Sequence, residues 1–91
     1  MKYRVERTNR FVKGLKRCMK RGYDENLLKE VIKMLANGQQ LPAKYNDHKL
    51  KGEYKDFREC HIESDWLLIY KIEENKLILT LTQTGTHSDL F

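Results

Sequence analysis

Tyr3 and Val5 alternate with Lys2, Arg4 and Glu6, the period of a short strand that buries one face. From residue 9 to residue 21 the period lengthens. Phe11, Val12, Leu15, Cys18 and Met19 recur at helical spacing, with Arg10, Lys13, Lys16, Arg17, Lys20 and Arg21 on the other side. That pattern predicts an amphipathic helix with a basic outer surface. Thr8 is suited to cap it and Gly22 to stop it. Asp24 is a good N-cap for a second helix, in which Leu27, Leu28, Val31, Ile32, Met34 and Leu35 form a wide apolar stripe. Asn37-Gly38, followed by Pro42, ends that helix.

Between Gly38 and Lys55 neither period persists, and the stretch exceeds the roughly 12–15 residues expected of a structureless connection. Loops of that length are functional or mobile. This one holds Lys44, Tyr45, Asn46, Asp47, His48, Lys49 and Lys51, a mixture suited to touching a nucleic acid strand. Beyond it the pattern reads as strands. Residues 57–62 alternate, residues 66–70 form a continuous apolar run of the kind covered on both faces, and residues 76–84 alternate again with Leu77, Leu79 and Leu81 on one side. Glu63-Ser64-Asp65 and Glu73-Glu74-Asn75 are short enough for hairpin turns. The expected class is α+β in the order β-α-α-β-β-β. Two helices would cover one face of a small, mostly antiparallel sheet, leaving the other face partly open beside the long loop.

Ninety-one residues are expected to form a single domain, residues 1–91, with one core and no deeply enclosed cavity. Function is then expected on a surface or in a shallow groove. The charged start Met1-Lys2-Tyr3-Arg4-Val5-Glu6-Arg7 does not read as a signal peptide, and no run approaches membrane-spanning length, so a soluble cytoplasmic protein without membrane association is expected. Cys18 and Cys60 belong to no closely spaced ligand cluster and read as buried thiols. The net charge of +5 is uneven: residues 1–22 carry nine Lys or Arg against one acid, and residues 23–91 carry nine against twelve. The basic block favours a polyanion or an acidic protein partner, with a merely solvated helix face as the alternative.

All three histidines, His48, His61 and His87, fall in or beside the region expected to be open. An imidazole exchanges protons near neutral pH, which RNA transesterification requires of its base and its acid. Asp65, in the turn after His61, could orient a histidine or act as the base, or could be a plain turn residue. Each histidine has a structural alternative as a surface or hydrogen-bonded residue. Trp66 and Tyr70 read as core, while the terminal Phe91 is either frayed or available to stack on a base. The histidines lack close metal-ligand spacing, so no metal or other cofactor is expected.

Four stretches together resemble the YafQ-like branch of the RelE/ParE toxin superfamily: residues 47–52 (DHKLKG), 54–58 (YKDFR), 61–71 (HIESDWLLIYK) and 84–91 (TGTHSDLF). The resemblance covers most of residues 45–91 in order, and the N-terminal β-α-α agrees in pattern. It implies a microbial-ribonuclease-like fold and a messenger-RNA interferase of a type II toxin–antitoxin pair, cutting on the ribosome. The implied partners are a cognate acidic antitoxin, the ribosome and mRNA, with the free toxin a monomer. Carried over residue by residue, His48, His61, Asp65 and His87 would form the catalytic set. His87 would be the general acid, Asp65 or a neighbouring histidine the base, and Phe91 would position the RNA.

One position departs from the family pattern, which usually has an arginine where this chain has Gln83. Glutamine donates a hydrogen bond but brings no charge. Arg58 or a lysine among Lys44, Lys49 and Lys51 could substitute, and Arg10, Lys13, Arg17 and Lys20 form the expected RNA- or ribosome-binding stripe. Two further readings compete with the enzyme: a noncatalytic inhibitor of a protein target, as ParE-like members are of gyrase, and a basic RNA- or ribosome-binding module.

Overall fold

A computed structural model describes residues 1–91. Its elements are β1 (Arg4–Arg7), α1 (Asn9–Lys20), α2 (Glu25–Ala36), β2 (His48–Lys49), β3 (Arg58–Glu63), β4 (Trp66–Glu73), β5 (Ile78–Gly85) and α3 (His87–Leu90). The sheet order is β1-β5-β4-β3-β2, antiparallel throughout except for the parallel β1–β5 pair. This is the expected α+β arrangement, enlarged by the two-residue β2 and by α3. The stretch after α2 is not structureless. Two short 3-10 turns, Ala43–Tyr45 and Gly52–Tyr54, flank β2 and divide it.

Local chemistry fixes the helix ends. The Thr8 hydroxyl accepts from the Phe11 amide at 3.0 Å, Asp24 caps α2 through the Asn26 amide at 3.0 Å, and Gly22 and Gly38 take positive φ just past the two helices. The apolar stripes meet the sheet in one core that includes Phe11, Cys18, Leu28, Val31, Leu35, Cys60, Leu68, Tyr70, Leu79 and Leu81. Both cysteines are buried and free, and burial first of all pushes the Cys60 thiol up to about 12. No helix is long and apolar enough to cross a membrane.

The central strand β4 is buried on both faces, as its apolar run predicts. Trp66, Leu68 and Tyr70 join the core beneath the helices, while Leu67 and Ile69 alternate to the opposite face and are also buried. The Trp66 indole donates to the Thr84 hydroxyl at 2.9 Å and packs on Tyr23 with ring centres 5.0 Å apart, which is a structural role.

Two backbone features set the far end of β5. Beyond Leu81, the last residue paired with β1, the strand borders α1 instead. The Thr8 hydroxyl donates to the Thr82 carbonyl at 2.6 Å, and a Cβ on Gly14 would lie 2.2 Å from the Thr84 carbonyl oxygen, so only glycine permits the approach. Thr82 is also the extra residue of a β-bulge, since Tyr70 faces Leu81 whereas Ile69 faces Gln83. The bulge reverses the side-chain phase: Leu79 and Leu81 belong to the core, but Gln83 shares the face of Ile69. The expected stripe of Leu77, Leu79 and Leu81 is corrected at its start by a separate backbone feature. Leu77 precedes β5 with φ +54° and is exposed.

Candidate active site

Residues directly opposite one another in paired strands share a face, so strand register alone assembles the site. His48 faces Glu59, Glu59 faces Ile69, and Ile69 faces Gln83, a row across four strands. The next row is His61, Leu67 and Gly85. Both rows lie on the face away from the helical core. Just past Gly85, α3 begins with His87.

A dense polar anchor holds that turn. Thr86 and Asp89 form a capping box: the Asp89 amide donates to the Thr86 hydroxyl at 3.2 Å, and the Thr86 amide donates to Asp89 at 2.9 Å. The Arg21 guanidinium grips the same carboxylate with two hydrogen bonds of 2.6 and 3.0 Å. That grip, reinforced by the Thr86 amide, holds the Asp89 carboxyl well below the usual carboxylate range. A Cβ on Gly85 would come within 2.8 Å of this carboxylate, which reserves the position for glycine.

The anchored turn sets His87 against the β3–β4 hairpin. Its ring Nδ1 lies 2.8 Å and its backbone amide 3.1 Å from Asp65 Oδ1. An ionised carboxylate only accepts, so Nδ1 carries the proton and Nε2 remains for exchange with a substrate. The ring hydrogen bond, followed by the backbone one, lowers the pKa of Asp65 and favours its ionised form.

The other histidines follow at regular spacing. The His61 and His87 ring centres are 6.1 Å apart, those of His48 and His61 6.3 Å, and those of His87 and Phe91 6.5 Å. His48 Nδ1–H donates to the Asn46 carbonyl at 2.7 Å, made possible by the left-handed backbone of Asn46. Between His48 and His61 sits Glu59, which the sequence reading missed. Its buried carboxylate places Oε1 3.4 Å from His48 Nε2 and 3.7 Å from His61 Nε2. The available signal was parity, since Glu59 shares the strand face of His61.

The basic residues divide. Arg10, Lys13 and Arg17 line a shallow groove with the largely buried Gln83, so the stripe of α1 opens directly beside the histidine face. Lys20 continues the exposed side of α1 outside this groove, Lys44 borders a cleft shared with His61, and Lys51 is exposed before the second 3-10 turn. Arg58 and Lys49 do not join the cluster. Arg58 faces Tyr70 and Lys49 faces Arg58, which sets both on the opposite side of their strands from Glu59 and His48. The Arg58 guanidinium is spent on Asp47, with two contacts of 3.3 Å, while Tyr70 donates to the same carboxylate at 2.5 Å. Of the cations offered in place of an arginine at position 83, Arg58 is therefore set by register on the face away from the histidines.

The model of the family described as "Bacterial toxin of type II toxin-antitoxin system, YafQ" matches residues 3–91. The mRNA interferase toxin YafQ of Escherichia coli K12 is 41% identical over 88 residues, covering 96% of this chain and 94% of the relative. The toxin in the solved E. coli DinJ–YafQ complex superposes with a TM-score of 0.90 at 40% identity, over 98% of each chain. A metal-bound toxin from Helicobacter pylori superposes with a TM-score of 0.92 at 46% identity, over the full length of both chains. The chain therefore belongs to the YafQ family of bacterial type II toxin–antitoxin toxins, within the RelE/ParE superfamily.

Proposed function

We propose that this protein is a metal-independent endoribonuclease that cuts mRNA on the translating ribosome, halting translation and growth until a cognate acidic antitoxin binds it. The observation that carries the reading is the Asp65–His87 pair, which leaves Nε2 of His87 free on a ring next to His61, itself next to Glu59. A proton acceptor removes the 2′-hydroxyl proton, the 2′-oxygen attacks the adjacent phosphorus, and the bond to the 5′-oxygen breaks as His87, entering the step as an imidazolium with Nδ1–H held by Asp65, gives that oxygen its Nε2 proton. The product ends are a 2′,3′-cyclic phosphate and a 5′-hydroxyl. Asp65, held ionised by His87, is the orienting partner. The buried Glu59, between two imidazoles, gives either of them a carboxylate when it carries the proton. Arg10, Lys13 and Arg17 supply positive charge from beside Gln83, and Phe91 stacks on a base.

Support comes from the mRNA interferase named in E. coli, and an antitoxin partner is supported by that organism's DinJ–YafQ complex. The cytoplasm, where ribosomes work, is the proposed site of action. The test is to translate a defined message with and without the protein and map new RNA ends by primer extension. New ends should arise within ribosome-bound codons and persist in EDTA that leaves the ribosomes intact, a control made pointed by the metal-bound H. pylori relative. Products ending in 3′-hydroxyls would refute the mechanism, because 2′-oxygen attack cannot leave them.

A further inference from the structure

Exposed large apolar side chains are few: Met1, Tyr54, Leu77 and Phe91. Two of these meet. The Tyr54 and Phe91 rings stand edge to face with centres 6.3 Å apart, and Tyr54 stands likewise 6.3 Å from Phe57. With the His87–Phe91 contact at 6.5 Å, the rings form one continuous track from the catalytic histidine outward. Phe57 shares the strand parity of Glu59 and His61, so the track stays on the histidine face. Lys71 holds its ammonium 5.7 Å from the centre of the Phe57 ring.

In a polar chain of mean hydropathy −0.76, Tyr54 is 38% exposed and forgoes the stabilisation that burying an aromatic ring brings. Exposed aromatic faces backed by cations are the elements that bind single-stranded nucleic acid, because every base offers a π-face and every nucleotide a phosphate. The local charge fits a polyanion: Lys51 and Lys55 flank Tyr54 in the sequence and Lys71 lies over Phe57, against Glu53 and Asp56. We propose that Tyr54 and Phe57, backed by Lys71, form a second base-stacking subsite, which holds the nucleotide next to the one at Phe91. This rests on the ribonuclease reading of the same face. The occupant is an RNA base rather than an antitoxin side chain, because the track is continuous with His87 and the charge beside it, the Lys71 ammonium over Phe57, is of the sign that attracts a phosphate.

The test uses the full chain on ribosomes programmed with an mRNA whose cleaved nucleotide carries a 2′-O-methyl group, which blocks attack. 2-Aminopurine is placed in turn at each position within two nucleotides of that bond. At one position, quenching should occur with the wild type and with Tyr54→Phe and be lost with Tyr54→Ala. Affinity should weaken about 5- to 100-fold in Tyr54→Ala, as expected for one lost stacking contact. On unmodified message the loss should fall on KM rather than kcat. Lys71→Gln should weaken binding and lower the salt slope by about one unit or slightly less. Wild-type quenching and affinity in both Tyr54→Ala and Lys71→Gln would overturn the subsite, and so would a Tyr54→Ala defect confined to antitoxin binding. Failure of the wild type to cleave unmodified message would instead overturn the ribonuclease reading, so the two failures are distinguishable.

Discussion

Neighbouring residues of β3 face two different environments. On one side Arg58 is satisfied by Asp47, which also accepts from Tyr70, so that network is closed at 2.5–3.3 Å. On the other side Glu59 meets His48 and His61 only at 3.4 and 3.7 Å, and the exchanging nitrogen of His87 has no protein hydrogen bond. Closed networks fix a fold. Open ones leave donors and acceptors for a substrate, and the site lies where polar groups are assembled but not used up. The two faces should accordingly fail in different ways.

The largest effect belongs to the open face. His87→Ala should slow bond cleavage by about two to four orders of magnitude with RNA or ribosome affinity nearly unchanged, read from single-turnover kinetics and equilibrium binding. Wild-type cleavage in this variant would remove His87 from the mechanism. On the closed face, Asp47→Ala strips both Arg58 and Tyr70 of their acceptor and should cost about 1–3 kcal/mol in denaturant unfolding. Its folded fraction should cleave at a rate close to the wild type. A large loss of rate in folded Asp47→Ala would mean that the two faces are not independent.

Changing pH should separate the faces without mutation. The lowered pKa values of Asp65 and Asp89 contribute stability that is present above the unfolded carboxyl value and lost as pH falls through the folded ones. The His87 turn should therefore loosen below about pH 4. Burial first, then the Asp47 hydrogen bond, raises the Tyr70 hydroxyl pKa. Its contribution is complete below the unfolded value, near 10, and declines as pH rises beyond it. Amide exchange or NMR should show α3 loosening first in acid and the β2–β3 end weakening in alkali; the reverse order would contradict both assignments. The smallest effect is expected from Gln83→Arg. Arg10, Lys13 and Arg17 already line its groove, so the rate should change by less than about tenfold, against the hundredfold or more typical of a lone transition-state donor. A larger rise would show that the α1 cations do not reach the reacting phosphate.

Much of this was legible in the pattern of residues. The caps at Thr8 and Asp24, both helical stripes and the doubly covered β4 follow from short-range periodicity, which side-chain alternation and helical pitch impose directly. His48, His61, Asp65, His87 and Phe91 emerged together because four linked motifs carried them. What stayed hidden depends on partners distant in sequence. A two-residue strand such as β2 has no period of its own, and α3 is a single capped turn. Arg58 and Glu59 are adjacent charged residues, and only pairing with Tyr70 and Ile69 decides that one joins a closed network and the other the histidines. Gln83 was noticed as a departure, but its neighbours on α1 follow from the Gly14 contact with Thr84.

The bulge at Thr82 makes pairing register itself a constraint on this fold. Flattening it, so that Thr82 entered the ladder opposite Ile69, would restore unbroken alternation to β5 and turn the three residues after it over. Gln83 would be driven in among Leu79 and Leu81, and Thr84 would swing away from the Trp66 indole, leaving a buried N–H without an acceptor. His87 would be carried onward by about one strand residue, roughly 3.3 Å, enough to break its 2.8 Å contact with Asp65. A flattened bulge would therefore act as a frameshift in space: every residue of the candidate site would still be encoded, and those beyond the bulge would not arrive at their places.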